Sequence, residues 1–488
     1  MRLSETGGAG MGRIWQMAWI LFTALAFLPG AVPGRAGEVT AIRGTFMDYI
    51  KDPFFFEEKD SVRLVPDGLL VLEDGLIRDF GDYGAMSGKY PMAKVTHYPD
   101  RLIMPGFVDT HVHYVQSRVT GAFGKHKPEW LHGFIFPEEI RCRDEGYARE
   151  VAAFFLDEML RCGTTTVQSF TTPFPASVEV FFEEASKRNM RVISGLTGVD
   201  RVGEGPPGYA TTPEAFYLQS RKLYEKWHGK GRNLYAVTPR YAPGCTDALL
   251  AQAGKLYREL PGVYMNTHIS EPKATGEDGK PVWGGADWLT AKRLFPDATD
   301  YLNVFERHGL LGPRTTFGHG IWLSDSEFAR ISKTGSGVSF CPASNLFLGS
   351  GLFRIAQAKS RGNPVRLGLG TDMAGGNYFC QIKVLNDAYK VAILQDYSLS
   401  AAKGFFLATR GGASGLYLED RIGAFKAGLE ADFIVLDLVA TPELRARNRD
   451  GKVADLRELE QKTFGLMVLG DERAVRATYV AGKLMQQK

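Results

Sequence analysis

Eight short apolar segments recur along the middle of the chain, at 107–111, 164–169, 191–195, 234–238, 263–268, 315–319, 338–341 and 366–371, with helical stretches between most of them. Each segment reads as a strand, and eight strand–helix units in succession predict an α/β fold: a (β/α)₈ barrel over 105–420. Several helices announce their starts and stops. Asp144 precedes an amphipathic run that ends at Gly163, Thr212-Pro213 precedes a second, and Ser324 with Glu327 forms a capping box. On either side of the barrel, 37–104 and 421–488 hold short β-rich pieces at 39–46, 69–72, 433–436 and 477–480. The Asp67-Gly68 and Asp74-Gly75 pairs are predicted turns. The two flanks are predicted to join as a small β-sandwich domain.

The first 36 residues stand apart. Arg2 and Arg13 precede a run at 14–28 that is apolar except for Gln16 and Thr23, and small residues surround Ala36. This pattern predicts a signal peptide cleaved after Ala36 and export to the periplasm. The run is short for a transmembrane helix, leaving an uncleaved anchor as one alternative and a start codon placed too early, with a cytoplasmic protein, as the other.

Composition removes several classes of function. The 58 Lys and Arg against 55 Asp and Glu give a net charge of +3, no field that would gather nucleic acid or hold an anionic membrane. Neither is an expected partner once the leader is removed. Five cysteines with no C-x-x-C pair exclude a disulfide framework and a zinc ribbon, and they read as core fillers. Gly203 to Gly208 has a dinucleotide-binding spacing, but Pro206 and Pro207 forbid the helix that must follow.

Four histidines, His111, His113, His268 and His319, sit at predicted strand ends. The period of two along a strand sends His111 and His113 to one side. Taken alone, that pair reads equally as an ion site or as two hydrogen-bonded core imidazoles. His268 ends the fifth segment and Asp372 follows the eighth, and a barrel brings all C-terminal strand ends to one mouth. Three imidazoles and a carboxylate gathered there suit zinc, with room for a water whose pKa the metal lowers. The fourth segment carries no Lys that could be carboxylated to bridge two metals, so one ion is expected.

The stretches Pro105 to His113, His268 to Glu271 and Leu369 to Asp372 resemble the amidohydrolase superfamily. Further pieces are similar to the guanine deaminases of that superfamily: His113 to Gln116, Glu129 to Leu131, Phe136 to Glu139, Thr238 to Tyr241, and 341–351. The resemblance covers nearly everything from Ala41 onward. It implies one zinc ion per subunit held by His111, His113, His268 and Asp372, with Glu271 as proton shuttle and His319 assisting. Gln116, Arg240, Tyr241 and His268 would meet the purine, and the protein would be a homodimer. The implied reaction is hydrolysis of guanine to xanthine and ammonia. Asp372 would accept a proton from the attacking water, and Glu271 would protonate ring N3 and the leaving ammonia. Arg240 and Gln116 match the O6 and N7 acceptors of guanine, and Tyr241 could stack on the ring. Two departures border the pocket: Pro272 replaces the family's usual Asn, and the 273–287 connection is long and Gly-rich. The same chemistry would serve another aminopurine, a pterin or an s-triazine. A catalytically dead relative would have lost ligands or Glu271, and none is missing.

Overall fold

The computed structural model describes residues 39–123, 127–201 and 205–487, which belong to one compact unit. The predicted leader, His126 and Gly203 lie outside the described residues. Four strands come first: β1 (Thr40–Tyr49), β2 (Val62–Glu73), β3 (Leu76–Asp82) and β4 (Lys94–Pro105). The next nine are β5 (Phe107–His113), β6 (Thr164–Phe170), β7 (Arg191–Gly195), the two-residue β8 (Thr197–Gly198), β9 (Asn233–Pro239), β10 (Tyr264–Ile269), β11 (Thr315–His319), β12 (Gly337–Phe340) and β13 (Arg366–Leu369). The chain ends with β14 (Phe433–Leu436), β15 (Val475–Val480) and β16 (Lys483–Gln487).

β5, β6, β7, β9, β10, β11, β12 and β13 pair in parallel in chain order, with β8 beside β9, and form the eight-stranded barrel that the sequence predicts. Their residues are almost all buried, as strands covered on both faces must be. The seam between β13 and β5 is held by Asp109. Its carboxylate accepts the Thr371 backbone N–H at 3.1 Å and the Thr371 hydroxyl at 2.5 Å, while the Asp372 N–H donates to the His111 carbonyl at 2.9 Å. Burial pushes the Asp109 carboxyl up to about 7, against the opposing pull of those hydrogen bonds.

The helix signals act as read. Asp144 accepts from the Tyr147 N–H at 2.8 Å to cap Glu145–Arg161, which stops before Gly163 at φ +85°. Thr212 caps Pro213–Trp227, and both bonds of the Ser324/Glu327 capping box are present. No helix among the described residues is long and apolar enough to cross a membrane.

Both flanks build a single seven-stranded sheet, in the order β16-β15-β14-β4-β1-β2-β3. β14 joins the flanks by pairing antiparallel with β4, which runs through Gly106 directly into β5 and so sets the entry to the barrel. Asp74-Gly75 makes the predicted hairpin turn, with φ +52° and +81° as a type I′ turn requires. Asp67-Gly68 does not turn. It lies inside β2, with Gly68 opposite Gly44 where the β1 register shifts, and a Cβ at 68 would sit 2.6 Å from the Phe46 ring. Glycine is needed there for close approach of that ring. All five cysteines are free and buried.

Where the sheet meets the N-terminal end of the barrel, the Arg232 guanidinium lies 2.6 Å from Glu430 and also pairs with Asp432, and Arg191 pairs with Glu430. These groups are largely withdrawn from water, so removing one partner leaves uncompensated charge. Arg232→Ala is expected to destabilise the fold by about 3–5 kcal/mol, read as a lowered midpoint in denaturant unfolding.

Candidate active site

The barrel mouth brings five predicted residues into one buried cluster. His111 and His113 leave β5 on the same side, their ring centroids 5.4 Å apart, and the His268 ring of β10 lies 4.7 Å from the first and 5.0 Å from the second. His319 closes β11 with its ring 5.0 Å from His111, and Asp372 follows β13. His319 and Asp372 both adopt left-handed backbone, at φ +69° and +42°. That strain is tolerated where the surrounding fold over-determines it, as at the rims of sites. Two glycines make the space. A Cβ at Gly318 would sit 2.4 Å from the His111 ring, and one at Gly370 would sit 2.9 Å from the His111 Cβ.

Burial drives His111, His113 and His268 well below the usual histidine range, so their imidazoles are neutral. His268 Nδ1 donates to the Arg240 carbonyl at 2.8 Å, which leaves its Nε2 as a bare lone pair. That Nε2 faces His113 Nε2 at 3.0 Å, and Asp372 Oδ1 is 3.6 Å from both His111 Nε2 and His113 Nε2. His111 Nε2 is buried with no hydrogen-bond partner. Nitrogens that face one another with nothing to share are costly unless a cation lies among them. Their spacing is close to the ~3.3 Å between donors of a tetrahedral site with bonds of about 2 Å. His111, His113, His268 and Asp372 therefore fit a divalent ion.

Glu271 follows His268 by three residues and turns into the same cavity. Its Oε2 lies 3.4 Å from His319 Nε2 and accepts a close hydrogen bond from the ammonium of Lys127. Burial alone would raise the Glu271 carboxyl, but His319 and Lys127 outweigh it and hold its pKa below the usual glutamate value. Asn345 Oδ1 lies 3.0 Å from His319 Nδ1 and fixes that ring. The cavity, about 430 Å³ of empty space counted out to its open mouth, is walled by Gln116, Trp130, Arg240, Tyr241 and Leu348 in addition to the charged groups.

Residues 102–485 match the Amidohydrolase family. The chain belongs to the amidohydrolase family. It is 42% identical over 459 residues to the guanine deaminase of Escherichia coli strain K12, covering 93% of this chain and 99% of that protein. It is 35% identical over 436 residues to a probable guanine deaminase of Deinococcus radiodurans, covering 88% and 94%. The crystal structure of guanine deaminase from Bradyrhizobium japonicum superposes with a TM-score of 0.87 at 42% identity, over 92% of this chain and 99% of that one.

In this amidohydrolase every predicted site residue lines the cavity except His111, which packs behind it against His113, His268 and His319, but several partners are absent from the sequence reading. Glu139 is fully buried and accepts from Arg240 Nη1 at 2.8 Å, from Gln116 Nε2 at 2.7 Å and from the Tyr209 hydroxyl. It lies within a stretch already singled out by resemblance. Lys127 and Tyr209 had no such signal. Tyr241 borders both this cavity and a neighbouring one lined by Pro272, Ala286 and Asp287. The long connection expected over 273–287 ends earlier: Gly285–Leu294 is a helix, docked by the Ala286 N–H on the Pro272 carbonyl at 2.9 Å. Because Gly318 makes room for His111, Gly318→Ala is expected to bind less than one equivalent of metal. Metal analysis should show the shortfall while circular dichroism stays unchanged.

Proposed function

We propose that this amidohydrolase is a guanine aminohydrolase of purine catabolism, converting guanine and water to xanthine and ammonia, with one zinc ion per subunit in a homodimer. The observation that carries the reading is the meeting, at one barrel mouth, of His111, His113, His268 and Asp372 with the Glu271 carboxylate and with Arg240 beside Gln116. The near-full-length identity to guanine deaminases supports the choice of ring. His111, His113, His268 and Asp372 would hold the zinc, which would supply the Lewis acidity that makes water a nucleophile at neutral pH.

The chain's own groups do the rest. Glu271 begins as a carboxylate, kept so by Lys127 and His319, and can therefore receive a proton before passing it on. Asp372 Oδ2 lies 3.8 Å from His319 Nε2, so the two flank the oxygen that adds to C2 and take up or hold its proton. Glu271 takes one proton of the attacking water and delivers it to ring N3 as the C2–O bond forms; the second, released by the added oxygen to Asp372, passes through Glu271 to the exocyclic nitrogen as the C2–N bond breaks, and ammonia leaves. Arg240 and Gln116 hold the far edge of the purine, and Tyr241 covers its face.

The test is an ammonia-release panel on metal-analysed protein with guanine, adenine, a pterin and an s-triazine. Guanine is expected to be the fastest, and guanine among the slowest would overturn the proposal. Glu271→Gln should keep its metal and lose about 10²–10⁴-fold in kcat. We further propose that residues 1–36 direct export. Sequencing the native protein should then find its first residue at Gly37, and an intact Met1 would refute cleavage.

A further inference from the structure

An ionised carboxylate can only accept hydrogen bonds, and it offers about four lone-pair sites. Glu139 fills all of them with donors from three different segments. Gln116 Nε2 is 2.7 Å from Oε1; Arg240 Nη1 is 3.1 and 2.8 Å from Oε1 and Oε2; Arg240 Nη2 is 3.1 Å from Oε1; and the Tyr209 hydroxyl is bonded to Oε2. Arg240 Nη1 also reaches the Tyr209 oxygen at 2.9 Å. All four residues are buried.

This arrangement decides a polarity that an amide does not ordinarily fix for itself. The O and N ends of a glutamine are interchangeable in shape, and only its neighbours choose between them. With Glu139 beside it, the NH₂ of Gln116 must face the carboxylate, so the other pole of its amide, the acceptor Oε1, is the one left to meet a ligand. Arg240 is held with Nη1 committed to Glu139 and Tyr209 and one Nη2 hydrogen to Glu139, and a guanidinium has only donors to offer at its remaining positions. The wall formed by these two side chains thus presents a donor beside an acceptor.

We infer that Glu139 is the positioning residue that sets this donor–acceptor order, and that through it the site selects heterocycles with a lactam edge, a ring carbonyl next to a ring N–H. The inference rests on the proposed deamination of guanine and deepens it. Arg240 donates to O6 and Gln116 Oε1 accepts from N1–H, rather than both side chains donating to O6 and N7. An amidine edge, with an exocyclic amine next to a bare ring nitrogen, has the opposite order. It sets donor against donor and acceptor against acceptor, and sites built on such hydrogen bonds discriminate strongly because the mismatch leaves buried polar groups unpaired.

The discriminating variant is Glu139→Gln, whose amide can donate as well as accept and so frees Gln116 to turn over. The measurement is kcat/KM for ammonia release from guanine and from 2,6-diaminopurine, which carries the reversed edge, on wild type and variant of equal metal content. The preference for guanine is expected to shrink at least about tenfold in the variant, chiefly through a raised KM for guanine. A merely structural role would lower both substrates alike, and an unchanged ratio overturns the inference. If Glu139→Gln does not fold, Gln116→Leu decides instead: loss of the acceptor should cut the preference similarly, and an unaltered preference again overturns it. Failure of the wild type to act on guanine would reject the proposed function itself, a different result from wild-type turnover with an insensitive ratio.

Discussion

Lone pairs pointing at one another at the buried floor of the barrel mouth are the constraint around which this barrel is arranged. Each buried polar atom left without a partner costs about 1–3 kcal/mol, and here His111 Nε2 is unpaired while the Nε2 atoms of His113 and His268 face each other at 3.0 Å. A fold keeps such a cluster only if its binding of an ion repays the cost and its backbone cannot relax away. The second condition is visible in the strand ends. Asp109 ties β5 to Thr371, the left-handed turns at His319 and Asp372 aim their side chains inward, and glycines at 318 and 370 remove the atoms that would collide with His111.

The same economy governs the charges around the cluster. Glu271 is matched by Lys127 and Glu139 by Arg240, with both carboxylates buried, so neither is left to repel the other acids at the mouth. The two pairs have different consequences. Lys127 keeps Glu271 ionised and therefore able to take a proton, whereas Glu139 exchanges nothing and instead holds two other side chains in orientation. A site that meets its own charges in this way needs no strong external field to draw in a neutral heterocycle, and the chain's net charge of +3 is in keeping with that.

Much of this was legible in the sequence, for a physical reason. Strands in the middle of a barrel must be short and apolar and must end where the chain turns towards the mouth, so the eight segments fall within a residue or two of the observed ends, and 315–319 and 191–195 coincide with them. Because the mouth gathers those ends, His111, His113, His268, His319 and Asp372 could be placed together without knowing their distances. What stayed hidden depends on pairings between segments far apart in sequence. Lys127 meets Glu271 across 144 residues and Glu139 meets Arg240 across 101, and no local pattern encodes either. Asp67-Gly68 misled in the opposite direction: a turn dipeptide was placed where a bulge needed room for the Phe46 ring.

Pro272 belongs to the same logic of fixed backbone. A residue that precedes proline is pushed out of the helical region towards extended conformations, so Pro272 narrows what Glu271 can do. On the other side Ser270 is already held at φ +51°. The acid is therefore pinned between a left-handed residue and a proline. Proline has no N–H to offer, but its carbonyl takes the Ala286 N–H and anchors the helix Gly285–Leu294 against the rim. A Cβ at Gly285 would come 2.2 Å from that carbonyl, so the glycine-rich character of the connection is what lets the helix dock so closely. Pro272 and the connection after it thus form one device, a stiff backbone beneath the acid with a helix docked on its carbonyl.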